Sequence, residues 1–235
     1  MRTRAWQRKR IAVFFMTAFF MSLCSMSSGA MAQSCPRGSG KAVLKSYETK
    51  TRLIRSKSAD DLTRWQTGHS SRGAHILGLG GGEIGTKIQA EFEVKELDNG
   101  QFCLSLKKVI AKFYTKPQIH IASNFKKGTC EYKEVLRHEK KHILTLKKFH
   151  REYTPKYRAE LKRIIRKVPV QRPTTENGLE GQQQQIMQMV QKHMSAYTEK
   201  IMAVLSGRQK RIDSPQEYKL VASRCRNWDK KLANN

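Results

Sequence analysis

Two histidines and a glutamate form the clearest chemical pattern in the sequence. They stand in the order His138-Glu139-Lys-Lys-His142, which is the HExxH pattern. In a helix, residues four apart lie on the same face, so both imidazoles can reach one metal ion. The glutamate between them can take a proton from a water molecule at that ion. The pattern therefore predicts Zn²⁺ held by His138 and His142, with Glu139 as the catalytic base of a metallopeptidase.

Residues 131–153 around this pattern predict an amphipathic helix. At about 100° per residue, one broad arc is apolar and the opposite side is basic. The apolar arc contains Tyr132, Val135, Leu136, Ile143, Leu146, Phe149 and Tyr153. The basic side contains Lys133, Arg137, Lys140, Lys141, Lys147, Lys148 and Arg151. Glu139 points into the apolar arc, and the two histidines line its edge. Because a core-facing carboxylate is costly unless it is paired, this placement favours a metal site over a solvated helix.

A third protein ligand for the metal stays open in the sequence. Glu160 lies on a second basic helix, Lys156–Val168, which is predicted to follow a turn at Thr154-Pro155. If the first helix runs to that turn, His142 lies about 16 Å from it and Glu160 only about 8 Å along the return. Glu160 would then reach the ion only if the first helix broke near Lys147. The other candidates are His75, His120 and His193.

Residues 1–32 have the pattern of a bacterial signal peptide. Five basic residues come first, an apolar run from Ile11 to Leu23 follows, and Ala30-Met31-Ala32 supplies a cleavage site. The apolar run is too short to span a membrane comfortably. We therefore expect a periplasmic or secreted protein that begins at Gln33 and has no transmembrane helix.

Four cysteines remain after the predicted cleavage: Cys35, Cys103, Cys130 and Cys225. In an oxidising compartment, four cysteines predict two disulfides, and three pairings are possible. A zinc site built from cysteines is disfavoured because the sequence has no CxxC pair.

The chain is strongly basic, with a formal net charge of +27. This charge falls to +22 after cleavage, because the leader carries five basic and no acidic residues. So much positive charge favours anionic partners such as an envelope surface, and no specific nucleic-acid motif is present. A second hypothesis is therefore a non-catalytic, disulfide-stabilised envelope protein that binds an anionic polymer or a protein partner. The two hypotheses differ at Glu139, which is the catalytic base in the first and contributes only to stability in the second.

Local patterns predict the elements that would position the motif helix. Ala42–Ile54 reads as a strand or strand pair, and Ser58–Trp65 as a short capped helix. The glycine-rich stretch His75–Gly85 predicts a flexible loop beside the cleft. Asp98-Asn99-Gly100 between two alternating runs predicts a hairpin. Lys116–Ser123 predicts a strand that leads into the motif helix and holds an extended substrate by edge pairing.

Several of these segments occur in the order found in a known bacterial family. They are Ser46-Tyr47-Glu48, the Ser-x-Asp-Asp-Leu helix start at Ser58, the glycine-rich turn, Phe102-Cys103, Pro117-Gln-Ile-His-Ile-Ala, Cys130-x-Tyr132 and Leu136-Arg-His-Glu-x-x-His. This order, over residues 42–168, resembles a family of secreted zinc-dependent proteases that contain a domain of unknown function. The resemblance implies a small zincin in which His138 and His142 bind zinc and Glu139 is the catalytic base. It also implies an antiparallel sheet beside the motif helix.

The sequence as a whole predicts an α+β fold. We expect a small antiparallel sheet packed on the HExxH helix and a second helix, all within a zincin-like domain at residues 33–168. A linker at residues 169–181 contains two prolines and two glycines. A helical C-terminal extension follows at residues 182–235. Its first helix, Gln182–Leu205, has an apolar stripe that includes His193, and Asp213-Ser214-Pro215 caps the last helix.

Overall fold

The structure, a computed structural model, describes residues 34–69, 75–226 and 228–232. The predicted signal peptide at residues 1–32 lies outside the described residues. Residues 34–235 form one compact unit. Its elements are β1 (Lys41–Glu48), β2 (Arg52–Ile54), α1 (Ala59–Thr67), β3 (Gly78–Glu96), β4 (Phe102–Ile121), α2 (Cys130–Ile165), a 3₁₀ turn (Glu176–Gly178), α3 (Leu179–Ile212), α4 (Pro215–Ser223) and α5 (Trp228–Leu232).

The sheet is built around β4. Along one side β3 pairs with it antiparallel, and along the other side β1 and then β2 pair with it parallel. The predicted hairpin joins β3 to β4, and Gly100 adopts a φ of 73° that its missing Cβ permits. The predicted α+β class is confirmed, but the sheet is mixed because β1 and β2 run parallel to β4.

The glycine-rich stretch is not a loop. Gly78 to Glu83 form the start of β3 and pair with the end of β4, from Ile121 back to Lys116. On its other side the same part of β4 pairs with β2. The predicted edge pairing of a substrate with Lys116–Ser123 is therefore wrong, since this strand is central. The open edge belongs to β3 instead.

Helix α2 is one continuous helix of 36 residues. The predicted turn at Thr154-Pro155, and with it the separate second helix, is wrong. Pro155 removes one backbone hydrogen bond, but buried residues on both sides of it, such as Phe149 and Tyr157, hold the helix in the core. Thr154 donates its hydroxyl to the carbonyl of His150 at 2.8 Å. Packing therefore overrides the local preference for a turn.

Two apolar clusters lie on either side of the HExxH turn of α2. The larger cluster joins the middle of β4 to the second half of α2 and to α3, through Phe113, Leu161 and Met194 among others. The smaller cluster joins α1 and the end of β4 to Val135 and Ile143 of α2. The C-terminal extension therefore completes the main core.

The segment predicted as a linker is fixed to the sheet. Thr174 exchanges two backbone hydrogen bonds with Phe102, at 2.8 and 2.9 Å. Helix α3 then begins at Leu179, three residues before the predicted start.

Both predicted disulfides are present, as Cys35–Cys103 and Cys130–Cys225. The first ties the N-terminal segment to β4. The second ties the first residue of α2 to the residues that follow α4. Among the described residues, no helix combines the length and apolar character that a membrane crossing requires.

We predict that Pro155→Ala raises the free energy of unfolding by about 2 kcal/mol, because alanine restores the missing N–H in a helix interior. Chemical denaturation of the two proteins measures this difference. Pro169→Ala, beyond the end of α2, is the control and should not stabilise. A neutral or destabilising effect of Pro155→Ala would contradict the continuous helix, because proline is favourable in the first turn of a helix.

Candidate metal centre

Three side chains converge on the buried face of α2. His138 and His142 lie one turn apart, and Asp213 reaches them from the C-terminal end of α3. The Nε2 atoms of the two histidines are 3.3 Å apart. The Oδ1 atom of Asp213 lies 3.3 Å from His138 Nε2 and 3.1 Å from His142 Nε2. The structure therefore forms a nearly equilateral triangle of potential metal ligands.

The size of this triangle fits a tetrahedral metal ion. Zinc binds histidine nitrogen and carboxylate oxygen at about 2.0–2.2 Å, which makes the edge of a regular tetrahedron about 3.3–3.6 Å. The three edges of the triangle, 3.1 to 3.3 Å, are equal to or slightly shorter than those of one face of such a tetrahedron. Among the described residues only these three side chains form the group, which would leave a four-coordinate ion one position for a further ligand, as in catalytic sites.

Contacts at the far side of each imidazole favour metal binding through Nε2. His142 Nδ1 lies 2.6 Å from the side-chain oxygen of Gln209, which can only accept, so Nδ1 carries the proton. His138 Nδ1 faces a carboxylate oxygen of Glu217 at a longer 3.5 Å. Both Nε2 atoms then point lone pairs at the Asp213 oxygen. Three acceptors this close repel unless a proton or a cation lies among them, and the three nearly equal edges fit a cation.

The corner between α3 and α4 carries most of these partners. Asp213 ends α3, Ser214 caps α4 by accepting from the Glu217 N–H, and Pro215 starts α4. Gln209 and Glu217 therefore flank Asp213 and reach the two histidines. The Cys130–Cys225 disulfide anchors the chain beyond α4 to the start of α2. This covalent link restrains the whole corner over the HExxH turn.

Glu139 is buried between α2 and the glycine-rich start of β3. A Cβ atom on Gly80 would lie 2.4 Å from the Glu139 carbonyl oxygen, and one on Gly78 would lie 2.7 Å from its carboxylate. Only glycine allows the strand to approach so closely. The backbone N–H of Gly80 also donates to the Glu139 carboxylate. The glycines thus place the open edge of β3 directly beside this acid.

The surroundings of Glu139 change its acidity. Burial raises its pKa to about 8, with a smaller contribution from the Asp213 carboxylate, while the Gly80 hydrogen bond acts in the opposite direction. Tyr218 donates its hydroxyl to Asp213 Oδ1 at 3.0 Å. Burial and that carboxylate raise the pKa of Tyr218 to about 12, so the phenol keeps its proton. The centre therefore contains a carboxyl group that titrates near neutrality and a permanent hydrogen-bond donor.

These groups line one cleft of roughly 750 Å³. One wall is the start of β3, the floor is α2, and the other wall is formed by α3 and α4. Most of the exposed lining is apolar, from residues such as Leu77, Leu146 and Met202. A cleft of this size and character is typical of sites for small molecules or short peptide segments.

The sequence left four candidates for the third metal ligand, and the structure places all four away from the triangle. Glu160 lies farther along α2 and binds Arg163. His75 pairs with Asp60 at the rim of the cleft. The ring of His120 packs against Trp65 on the far side of β3. His193 is exposed on α3, where Met194 takes the buried position that the predicted stripe gave to the histidine.

Sequence reasoning missed Asp213, Gln209, Glu217 and Tyr218. Asp213 was interpreted only as part of a helix cap. A polar cluster of this kind, between two helices and preceding a proline, is equally typical of ordinary caps. Asp213 is more than 70 positions from the HExxH motif and has no fixed spacing to it, so the sequence contains no signal that links the two.

Comparisons with protein-family models, curated proteins and solved structures found no match to this chain.

We predict that Asp213→Ala weakens zinc binding at least about 100-fold, more than the 10- to 100-fold expected for losing an outer partner such as Gln209. Competition with a chromophoric chelator measures the affinity. Glu160→Ala is the matched control and should bind zinc as the parent does. Loss of zinc in the Glu160 variant together with retention in the Asp213 variant would reject the triangle.

Gly80→Ala should lower the free energy of unfolding by about 1–3 kcal/mol, because its Cβ collides with the backbone of α2. Gly81→Ala is the control, since no heavy atom lies within 4 Å of its Cβ position. Urea denaturation of both variants measures the difference. Equal effects at the two positions would show that the contact between β3 and Glu139 is not tight.

Proposed function

We propose that this protein is a zinc-dependent peptidase that hydrolyses peptide bonds in its cleft. The observation that carries the proposal is the triangle of His138, His142 and Asp213, with an open fourth corner and the buried Glu139 beside it. Zn²⁺ bound to these three residues would supply Lewis-acid chemistry, which polarises a carbonyl and activates water as a nucleophile near neutral pH. The HExxH pattern and the resemblance to secreted zinc-dependent proteases agree with this function.

In the proposed reaction Glu139 moves a proton twice. It accepts a proton from the water that attacks the peptide carbonyl, and it then donates this proton to the departing amine. Its burial against β3 and the hydrogen bond from Gly80 hold the carboxylate in one place. Tyr218, which keeps its proton, donates its hydroxyl to Asp213 Oδ1 at 3.0 Å and so fixes the position of this carboxylate.

The open edge of β3 supports binding of an extended peptide. Within the described chain β3 pairs only with β4, so its second row of backbone groups, apart from the Gly80 N–H that donates to Glu139, has no strand partner along the cleft. Glycines at 78 and 80–82 leave this backbone uncovered by side chains. An added strand gains backbone hydrogen bonds there, while apolar residues of α3 and α4 receive its side chains. We therefore propose unfolded or extended protein segments with apolar side chains as substrates.

The proposed location is the periplasm or the extracellular space. Two disulfides support it, because disulfides persist in oxidising compartments. The predicted signal peptide agrees with the same location.

We predict that Glu139→Gln reduces hydrolysis about 100- to 10,000-fold, because the amide cannot accept the proton, while zinc binding is retained. Fluorescently labelled casein, an unfolded protein, serves as the probe, and zinc is quantified in the same samples. Glu160→Gln, an acidic residue on the same helix, is the control and should keep full activity. Unchanged hydrolysis in Glu139→Gln would reject the mechanism. A zinc-loaded parent that hydrolyses nothing would favour the non-catalytic hypothesis.

A further inference from the structure

The outward side of α2 carries a continuous line of positive charge. Among the exposed residues of this helix nine are basic and none is acidic. Six of them follow one another at helical spacing and make no ion pair within the described part of the chain. They are Lys133, Lys140, Lys148, Arg151, Arg158 and Lys162. We call this set the basic ridge.

The acidic residues of α2 do not neutralise the ridge. Glu131 and Glu139 are buried. The other three, Glu134, Glu152 and Glu160, are half-buried on the flanks, and each pairs with a different basic residue. The ridge therefore keeps its full positive charge at the surface.

The length and spacing of the ridge make its charges act together. From Lys133 to Lys162 the helix extends roughly 44 Å. By helical rise, successive charges along the line are about 4 to 12 Å apart, which is comparable with the screening length of about 8 Å at physiological salt. The potentials of the six residues therefore add, and an extended anionic surface would feel them as one.

Leu144 lies in the middle of the same line and is 65% exposed. Its helical position falls between Lys140 and Lys148. An isolated apolar side chain gains little free energy by contact with a polyanion dissolved in water. It gains free energy at the boundary between lipid headgroups and acyl chains, as in helices that lie on membranes.

We propose that the basic ridge, with Leu144 at its centre, docks the protein on an anionic lipid bilayer. A convex helix face fits a flat surface better than it fits a polymer, which needs a groove. At about 100° per residue the ridge lies on the side of α2 opposite His138 and His142. The cleft therefore faces away from the bilayer and stays open to the aqueous side. This docking does not depend on the proposed peptidase function.

The test uses the chain from Gln33 onward, since residues 34–235 form a compact unit with its own core and both disulfides. Sedimentation with vesicles of phosphatidylcholine alone, or with about one third phosphatidylglycerol, measures binding at about 0.1 M salt. The ridge variant combines Lys133→Gln, Lys148→Gln, Arg151→Gln and Lys162→Gln. The control variant combines Lys50→Gln, Lys95→Gln, Lys192→Gln and Lys200→Gln, exposed lysines outside α2.

We expect the parent to bind only the anionic vesicles and to bind them less as salt rises. Since each basic residue at an anionic surface strengthens binding roughly fivefold, the ridge variant should lose at least about 100-fold and the control variant far less. Leu144→Ser, which leaves the charge unchanged, should weaken binding to the anionic vesicles roughly fivefold.

Equal losses of binding in the two charge variants would overturn the proposal, because total charge would then explain binding. Absence of binding by the parent would also overturn it. Tighter binding to soluble polyphosphate, unchanged in Leu144→Ser, would assign the ridge to a polymer instead.

Discussion

The structure depends on burying three polar side chains on one turn of a helix that otherwise packs like an ordinary core helix. His138, Glu139 and His142 are each at most 6% exposed. Buried imidazoles and carboxylates are unfavourable unless each polar atom has a partner. Two separate parts of the chain supply these partners: the glycine strand supplies an N–H to Glu139, and the corner of α3 and α4 supplies ligands and acceptors to the histidines. The fold around α2 can be understood as the means of bringing these two parts to the same turn.

Short-range patterns in the sequence predicted the features that depend on neighbouring residues. The Asn-Gly turn between alternating runs gave the hairpin, because few dipeptides adopt the backbone angles of such a turn. The capping box of Ser58 and Asp61 gave the start of α1. The periodicity of the motif helix predicted that Glu139 would face inward. In each case the physical cause lies within a few residues, so that the sequence alone contains it.

Other features depend on contacts between distant segments, and for these the local reading was wrong or silent. Thr154-Pro155 has the composition of a helix start, yet residues buried in the main core on both sides of it keep α2 continuous. Four glycines within five positions suggest a loop, yet Gly78 and Gly80 are required where a strand lies against a helix. Asp213 lies beside the two histidines only because α3 returns along α2. Neither secondary-structure propensity nor residue spacing predicts such contacts between distant parts of the chain.

The charge of the whole protein and the charge of the site have opposite signs, and this difference decides whether a dication is tolerated. A net charge of +27 disfavours the approach of Zn²⁺ to the protein. At the centre, however, the carboxylates of Asp213 and Glu217 lie against the two histidines. A neighbouring cation, Lys141, is held by Glu217 at 2.5 Å. The basic ridge lies on the far side of α2, and water screens it over about 8 Å. One helix can thus carry potential metal ligands on its buried face and a strongly cationic surface toward solvent.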